Sequence, residues 1–184
     1  MTVLAKNKKY SVLIVEDHSI VRMGLSTLIS QLDDISLCSE AESGEEALEF
    51  LKKNRPDIVI VDISLRDMNG IDLIKYIKRI NADIPILVLS VFDETFYAER
   101  AFAAGAIGYI MKQEASEVII KAIRTVLSNE IYASDRIKDR LLKKAIGKGN
   151  AVDDTAISTL TDRELQVFEL IGQGNETREI AEKL

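Results

Sequence analysis

The chain has 184 residues, of which 47% are hydrophobic and 29% are charged. This balance is that of an ordinary globular protein, and it excludes a disordered, collagen-like or low-complexity chain. The formal net charge of −6 excludes a bulk positive field that would draw nucleic acid to the chain. Any contact with DNA must therefore come from a local element.

The expected cellular setting follows from what the sequence lacks. No apolar run approaches the roughly 18 residues that a membrane-spanning helix requires, and the apolar run near the N-terminus is too short for a signal peptide. A single cysteine, Cys38, and a single histidine, His18, exclude a disulfide framework and a cysteine- or histidine-rich metal centre. We therefore expect a cytoplasmic protein without a membrane partner, in which both residues are structural.

Five short apolar runs, at residues 11–15, 35–41, 57–62, 84–90 and 107–110, predict the strands of a sheet. Four of them are continuous and rich in Val and Ile, as strands buried on both faces are, whereas the second run alternates and suits an edge. Helical patterns lie between the runs, at about 21–32, from Ser43 onward, and at 71–80, 95–104 and 116–128. This alternation predicts a doubly wound α/β domain with a parallel sheet over residues 9–128.

The pattern changes after residue 128. An amphipathic helix is predicted over residues 135–146, and the polar segment GKGNAVDD at 147–154 reads as a linker. Thr161 lies three residues before Glu164, which predicts the start of a helix that runs to Gly172. A short helix over residues 177–184 follows.

Acidic, hydroxyl and amino side chains follow the interior strands, at the edge of the sheet where open parallel sheets bind ligands. Glu16 and Asp17 follow the first strand, Asp62 ends the third, Ser90 ends the fourth and Lys112 follows the fifth. In the strand order 2-1-3-4-5 the first and third strands are neighbours, so the three carboxylates should meet there. Any one of these residues alone is more simply explained as structural, for example as a helix cap. Their joint appearance indicates a site.

The chemistry of this set favours a metal and a phosphoryl group. Carboxylates without histidine or cysteine suit a hard ion such as Mg²⁺. A hydroxyl and an ammonium beside the metal suit the oxygens of a phosphate. A carboxylate can also attack a phosphoryl group and form an acyl phosphate. Asp62 is the natural nucleophile, because Glu16 and Asp17 are better placed as metal ligands.

The motifs IVEDH, VDISLRDMNGIDL, ILVLS and GAIGYIMK resemble the receiver domains of two-component response regulators over about residues 10–128. The resemblance implies a flavodoxin-like fold in which Glu16 and Asp17 bind Mg²⁺ and Asp62 is the phosphoacceptor. It also implies that the backbone carbonyl of Ser64 completes the metal site and that Lys112 binds the phosphoryl group.

The same resemblance makes Ser90 and Tyr109 the switch residues, with Ser90 moving toward the phosphoryl group and Tyr109 following into the vacated space. Two positions depart from the family's pattern. Arg66 stands where the family often has proline, and Val91 stands where a small residue is usual. We expect Arg66 to leave its loop less rigid and to alter contacts with partners or phosphate. We expect Val91 to change the rate and lifetime of phosphorylation, but not the reaction.

Residues 160–184 resemble the opening of a LuxR-type helix-turn-helix domain, and with a receiver this is the layout of NarL/FixJ-type response regulators. The expected domains are the receiver at 9–128, a helical connector and linker at 129–157, and at 158–184 the start of a DNA-binding domain without its recognition helix. The implied function is control of transcription. The resemblance implies that a sensor histidine kinase donates the phosphoryl group that switches this activity. No enzymatic activity beyond self-phosphorylation and self-dephosphorylation is expected, and phosphorylation is expected to shift the chain toward a homodimer.

The C-terminal region carries a separate expectation. Residues 160–184 hold three basic and six acidic side chains, too few positive charges for the phosphate contacts that dominate DNA affinity. This chain is therefore expected not to bind DNA specifically, although its full-length parent should. Its two short helices should be poorly ordered, or should dock on the receiver or on a neighbouring chain.

Two other functions compete with transcription control. A phosphatase of the haloacid dehalogenase type needs a second acid two residues after the nucleophile, where this chain has Ser64. That alternative is weak. A phosphorylation-switched protein-interaction module without DNA binding stays open.

Overall fold

The computed structural model describes residues 9–146 and 159–183. A five-stranded sheet in the order β2-β1-β3-β4-β5 lies at the centre of the N-terminal region, and every adjacent pair of strands is parallel. The strands are β1 (Tyr10–Val15), β2 (Ile35–Ala41), β3 (Ile58–Val61), β4 (Ile86–Ser90) and β5 (Gly108–Met111). The predicted doubly wound α/β fold and its strand order are confirmed.

The helices described by the structure are α1 (Ser19–Ser30), α2 (Gly44–Leu51), α3 (Gly70–Ile80), α4 (Glu94–Ala104), α5 (Ser116–Leu127), α6 (Asp135–Ala145), α7 (Asp162–Gly172) and α8 (Thr177–Lys183). Local signals in the sequence set several of these ends. The hydroxyl of Ser43 accepts a hydrogen bond from the Glu46 amide at the start of α2. Gly105 ends α4 with a φ of 113°, a backbone conformation that favours glycine. None of the described helices is long and apolar enough to cross a membrane.

The α/β domain buries apolar side chains on both faces of its sheet. Because successive side chains of a strand point to opposite faces, β1 contributes Leu13 and Val15 to one cluster and Val12 and Ile14 to the other. The first cluster is covered by residues of α2, α3 and α4, and the second by residues of α1 and α5. The sheet is thereby held rigidly, and its carboxyl edge positions the loops that follow the strands.

Helix α6 packs on the same side as α4. Ile137 is buried in the first cluster, and Arg140 donates a hydrogen bond to the Thr95 carbonyl over 2.9 Å. Glu99 forms ion pairs with Arg140 at 2.7 Å and with Lys144 at 3.0 Å. The predicted amphipathic helix is therefore confirmed, and it packs against the α/β domain. The predicted linker at 147–154 lies outside the described residues.

Helix α7 docks on the α/β domain, which is one of the two expectations stated for this region. Leu165 is buried in the first cluster, and the fully buried side chain of Gln166 donates a hydrogen bond to the Ile63 carbonyl over 3.4 Å. Arg100 of α4 donates to the Leu160 carbonyl and to Asp162 over 2.8 Å and 2.9 Å. These contacts supply the burial that a short isolated helix lacks, so the docking alternative is the one that applies to α7.

Candidate functional site

The predicted acidic residues meet at the carboxyl edge of the sheet. Val15 and Val61 are partners in the parallel pairing of β1 with β3, so the residues that follow them emerge side by side. Glu16, Asp17, His18 and Asp62 each place a possible ligand atom within 4.8 Å of the others. Glu16 and Asp62 are both only 1% exposed. Two carboxylates that are buried this deeply and lie this close together require nearby cations to offset their negative charge.

Lys112 supplies one of these cations. Its Nζ lies 2.9 Å from Asp62 Oδ2 and 2.6 Å from Glu16 Oε2, so one ammonium bridges two carboxylates. The Lys112 amide donates to the Ser90 carbonyl over 2.8 Å, which fixes the start of the loop after β5. The structure thus places the predicted phosphate-binding residue Lys112 beside Asp62, and its role stays a prediction.

Burial and charge shift the pKa values of this pair. Burial raises the pKa of the Asp62 carboxyl to about 6, because removal of water and the nearby Glu16 charge outweigh the attraction of Lys112. Burial also disfavours the Lys112 ammonium, but Asp62 and Glu16 outweigh that effect and keep the pKa of Lys112 above its ordinary value. At neutral pH the site therefore contains an ionised Asp62 paired with a protonated Lys112.

Ser90 and Tyr109, the two predicted switch residues, are buried on the neighbouring strands β4 and β5. Ser90 is fully buried, and its hydroxyl accepts a hydrogen bond from the Phe92 amide over 3.1 Å. Tyr109 is 2% exposed, and its hydroxyl donates to the Phe92 carbonyl over 2.8 Å. The Tyr109 ring is thus already buried in the domain. Its expected movement would therefore begin from a buried position and not from solvent. Both side chains are anchored to the backbone of one residue, Phe92.

The side chains at the carboxyl edge fit a hard divalent cation. Asp17 Oδ1 and Asp62 Oδ1 are buried and accept no hydrogen bond from the residues that the structure describes. Asp17 Oδ1 lies 2.8 Å from His18 Nδ1, a contact that is an ion pair only when His18 is protonated. Buried carboxylate oxygens that lie within 4.8 Å of one another suit the coordination of Mg²⁺. Ser64 borders the same cavity, and the role of its carbonyl as a ligand stays a prediction.

Several residues that shape the site had no role assigned from the sequence. Arg22 donates to the Glu16 carbonyl over 2.7 Å and so fixes the loop after β1. A Cβ atom on Gly70 would lie 2.1 Å from the Asp62 carbonyl oxygen, so only glycine allows the loop after β3 to close this tightly. The Asn69-Gly70 pair at the start of α3 is the sequence signal that could have predicted this close contact. His18 begins α1, as expected, but it also borders the acidic residues.

A cavity of about 590 Å³ opens in front of the acidic residues. Residues of the α/β domain form most of its wall, including Asp17, Asp62 and Lys112, and α7 contributes Leu170 and Gln173. Helix α7 therefore borders the cavity onto which Asp62 opens.

The docking of α7 should depend on pH through Glu169, whose pKa is raised by burial. A carboxyl with a raised pKa favours the docked form at pH values below its ordinary value of 4.5, and this contribution is lost as pH rises through the raised pKa. Glu169→Gln should therefore slow amide exchange in α7 at neutral pH, after correction for the intrinsic rate.

Glu164→Gln supplies the matched control in the same helix. The Thr161 amide and hydroxyl hold the pKa of Glu164 below its ordinary value, so its contribution grows with rising pH. Glu164→Gln should speed exchange at neutral pH. The same sign of change in both variants would contradict the assignment of the pH dependence to burial of Glu169.

Comparison with known proteins agrees with this geometry. Residues 12–124 match the family described as the response regulator receiver domain. Response regulator UvrY of Escherichia coli is 31% identical over 174 residues, which cover 95% of this chain and 79% of UvrY. Response regulator GacA of Pseudomonas aeruginosa is 28% identical over 173 residues, which cover 94% of this chain and 80% of GacA.

A solved structure extends the similarity to three dimensions. The crystal structure of a two-component response regulator of the LuxR family from an Aurantimonas species superposes with a TM-score of 0.69 at 27% identity. The match covers 76% of this chain and 99% of that one. The chain belongs to the response regulators of two-component systems, and it is similar to a solved member of their LuxR family.

Proposed function

We propose that Asp62 accepts a phosphoryl group from a sensor histidine kinase, and that the phosphorylated protein controls transcription through a LuxR-type DNA-binding domain. The observation that carries the first half is the asymmetry of the Asp62 carboxylate. Oδ2 is held by Lys112 at 2.9 Å, whereas Oδ1 is buried and accepts no hydrogen bond from the described residues. The ion pair with Lys112 fixes the orientation of this carboxylate at the wall of the cavity, which positions it for attack on a phosphoryl group.

The proposed transfer is a displacement at phosphorus. An Asp62 oxygen forms the new bond to phosphorus, the bond to the kinase's imidazole nitrogen breaks, and the electron pair of that bond stays on the nitrogen. When bound by Glu16, Asp17, Asp62 and the Ser64 carbonyl, Mg²⁺ would supply positive charge to the phosphoryl oxygens. The Lys112 ammonium stays beside the product and offsets its charge. Attack by water later restores the carboxylate and releases inorganic phosphate.

This chemistry defines the extent of the chain's own activity in our proposal. The acyl phosphate forms and hydrolyses on the chain itself, so it is a switch and not an enzyme that turns over a separate substrate. A phosphoryl group adds a charge of about −1.5 to −2 and acceptor oxygens that local donors must satisfy. In our proposal the Ser90 hydroxyl, which now accepts from the Phe92 amide, turns toward the phosphoryl group and donates to it.

The route from the site to the C-terminal region passes through Phe92 in this proposal. Phe92 contacts both switch residues through its backbone and stacks its ring on Tyr97 of α4, with ring centroids 4.7 Å apart. It also borders the cavity that α7 closes. A change at Ser90 would therefore reach α4 and α7 together. Specific DNA contact by the whole protein, self-association on phosphorylation and a cytoplasmic setting belong to the same proposal.

Incubation with acetyl phosphate tests the first half of the proposal. With Mg²⁺ present, intact-mass measurement should show one added phosphoryl group per chain, and excess chelator should prevent the addition. A second, chelator-resistant modification would point to unspecific acylation or phosphorylation elsewhere. Absence of any addition with Mg²⁺ and donor in excess would contradict the proposed phosphoacceptor site.

A further inference from the structure

The side chain of Arg66 contacts Asp17, the proposed metal ligand with which Lys112 forms no described ion pair. Its Nε lies 3.1 Å from Asp17 Oδ2. The Asp17 side chain is 5% exposed, whereas that of Arg66 is 74% exposed. A guanidinium from the loop after β3 therefore closes over a buried carboxylate from the loop after β1, and most of it stays in solvent.

Two cationic side chains, Lys112 and Arg66, pair with different acidic residues of the site. Lys112 contacts Glu16 and Asp62 at 2.6 Å and 2.9 Å, and its side chain is only 8% exposed. Arg66 contacts Asp17, whose other neighbour is His18, a side chain that carries a charge only when protonated. Arg66 is thus the permanently charged partner of Asp17 among the ion pairs that the structure describes.

We propose that Arg66 is a tethered counter-ion that competes with Mg²⁺ for Asp17 and so lowers the affinity of the unphosphorylated chain for the metal. This inference rests on the proposed Mg²⁺ site. A metal bound to Asp17 would bring two positive charges beside the guanidinium, so Arg66 must move out when the metal enters. Because Arg66 is mostly exposed, it can leave without giving up buried contacts. The competition is therefore reversible.

The size and salt dependence of the effect follow from this exposure. An ion pair with one exposed partner changes an equilibrium by about two- to fivefold. Salt screens such a pair, so the competition should weaken as ionic strength rises.

Titration calorimetry with MgCl₂ on the full chain tests the inference. Arg66→Met keeps the length of the side chain but removes its charge, and it should bind Mg²⁺ about two- to fivefold more tightly than the wild type at low salt. Arg66→Lys should fall between the two, because it keeps a charge in a different geometry. Arg55→Met is the matched control. Arg55 is an exposed arginine that precedes β3, at the opposite edge of the sheet, and its loss should leave the affinity unchanged.

The possible outcomes separate this inference from the proposal on which it rests. Measurable binding by the wild type with no gain in Arg66→Met would overturn the role of Arg66 and leave the metal site standing. Weaker binding by Arg66→Met would also overturn it, because Arg66 would then organise Asp17 for the metal. An equal gain in Arg55→Met would reduce the effect to net charge and overturn it as well. No binding by any variant would overturn both the metal site and the competition.

Discussion

Asp62→Asn should abolish phosphorylation by acetyl phosphate or by a cognate kinase. The amide of asparagine carries no negative charge and cannot form the acyl phosphate. The variant should stay folded, because it removes a carboxylate whose ionisation burial already disfavours, as the raised pKa of about 6 shows. The measurement is intact mass after incubation with donor and Mg²⁺, and the expected result is complete loss of the added group.

Asp72→Asn is the matched control for this change. Asp72 lies on α3 and pairs with Lys75 at 2.8 Å, with about half of its side chain exposed. It should be labelled like the wild type. Equal labelling of Asp62→Asn and Asp72→Asn would show that the phosphoryl group resides on another residue.

Lys112→Met should destabilise the chain strongly at neutral pH when Mg²⁺ is absent. Removal of the ammonium leaves the buried carboxylates of Glu16 and Asp62 facing each other without the cation that bridges them. Removal of one partner from a buried ion pair costs about 3–5 kcal/mol of unfolding free energy. Urea unfolding at low salt measures the loss. Lys121→Met, a change at an exposed position of α5, should leave the unfolding free energy nearly unchanged.

A double variant and added metal check the cause of this loss. Asp62→Asn combined with Lys112→Met removes one of the two facing charges and should recover part of the lost stability. Added Mg²⁺ should stabilise Lys112→Met through binding to the folded form, and by more at higher concentration. If neither change restores stability, the loss comes from the packing of the lysine stem and not from charge.

The sheet and the meeting of its acids could be predicted because both follow from short-range pattern. Continuous Val- and Ile-rich runs fix which residues form strands, and parallel pairing of β1 with β3 then brings Glu16, Asp17 and Asp62 together. The small errors have local causes. The fourth strand was expected from residue 84 but begins at Ile86, since Pro85 has no amide hydrogen to donate to the ladder.

Contacts between distant segments could not be predicted in this way. The ion pair of Arg66 with Asp17 depends on the direction of an exposed side chain, about which periodicity says nothing. The docking of α7 depends on Gln166 finding the Ile63 carbonyl across 103 positions of the chain. The inward position of Tyr109 depends on a hydrogen bond to one backbone carbonyl, that of Phe92. Each is a tertiary contact that leaves no periodic pattern in the sequence.

The most direct test of the central claim is to locate the phosphoryl group chemically. The chain is phosphorylated with acetyl phosphate and Mg²⁺, and borohydride then reduces any aspartyl phosphate to homoserine, which peptide sequencing by mass spectrometry can place. We predict homoserine at position 62 alone, and none when the chelator is present during phosphorylation. Homoserine at Asp17 or at another acid, with an unmodified Asp62, would contradict the assignment of Asp62 as the phosphoacceptor.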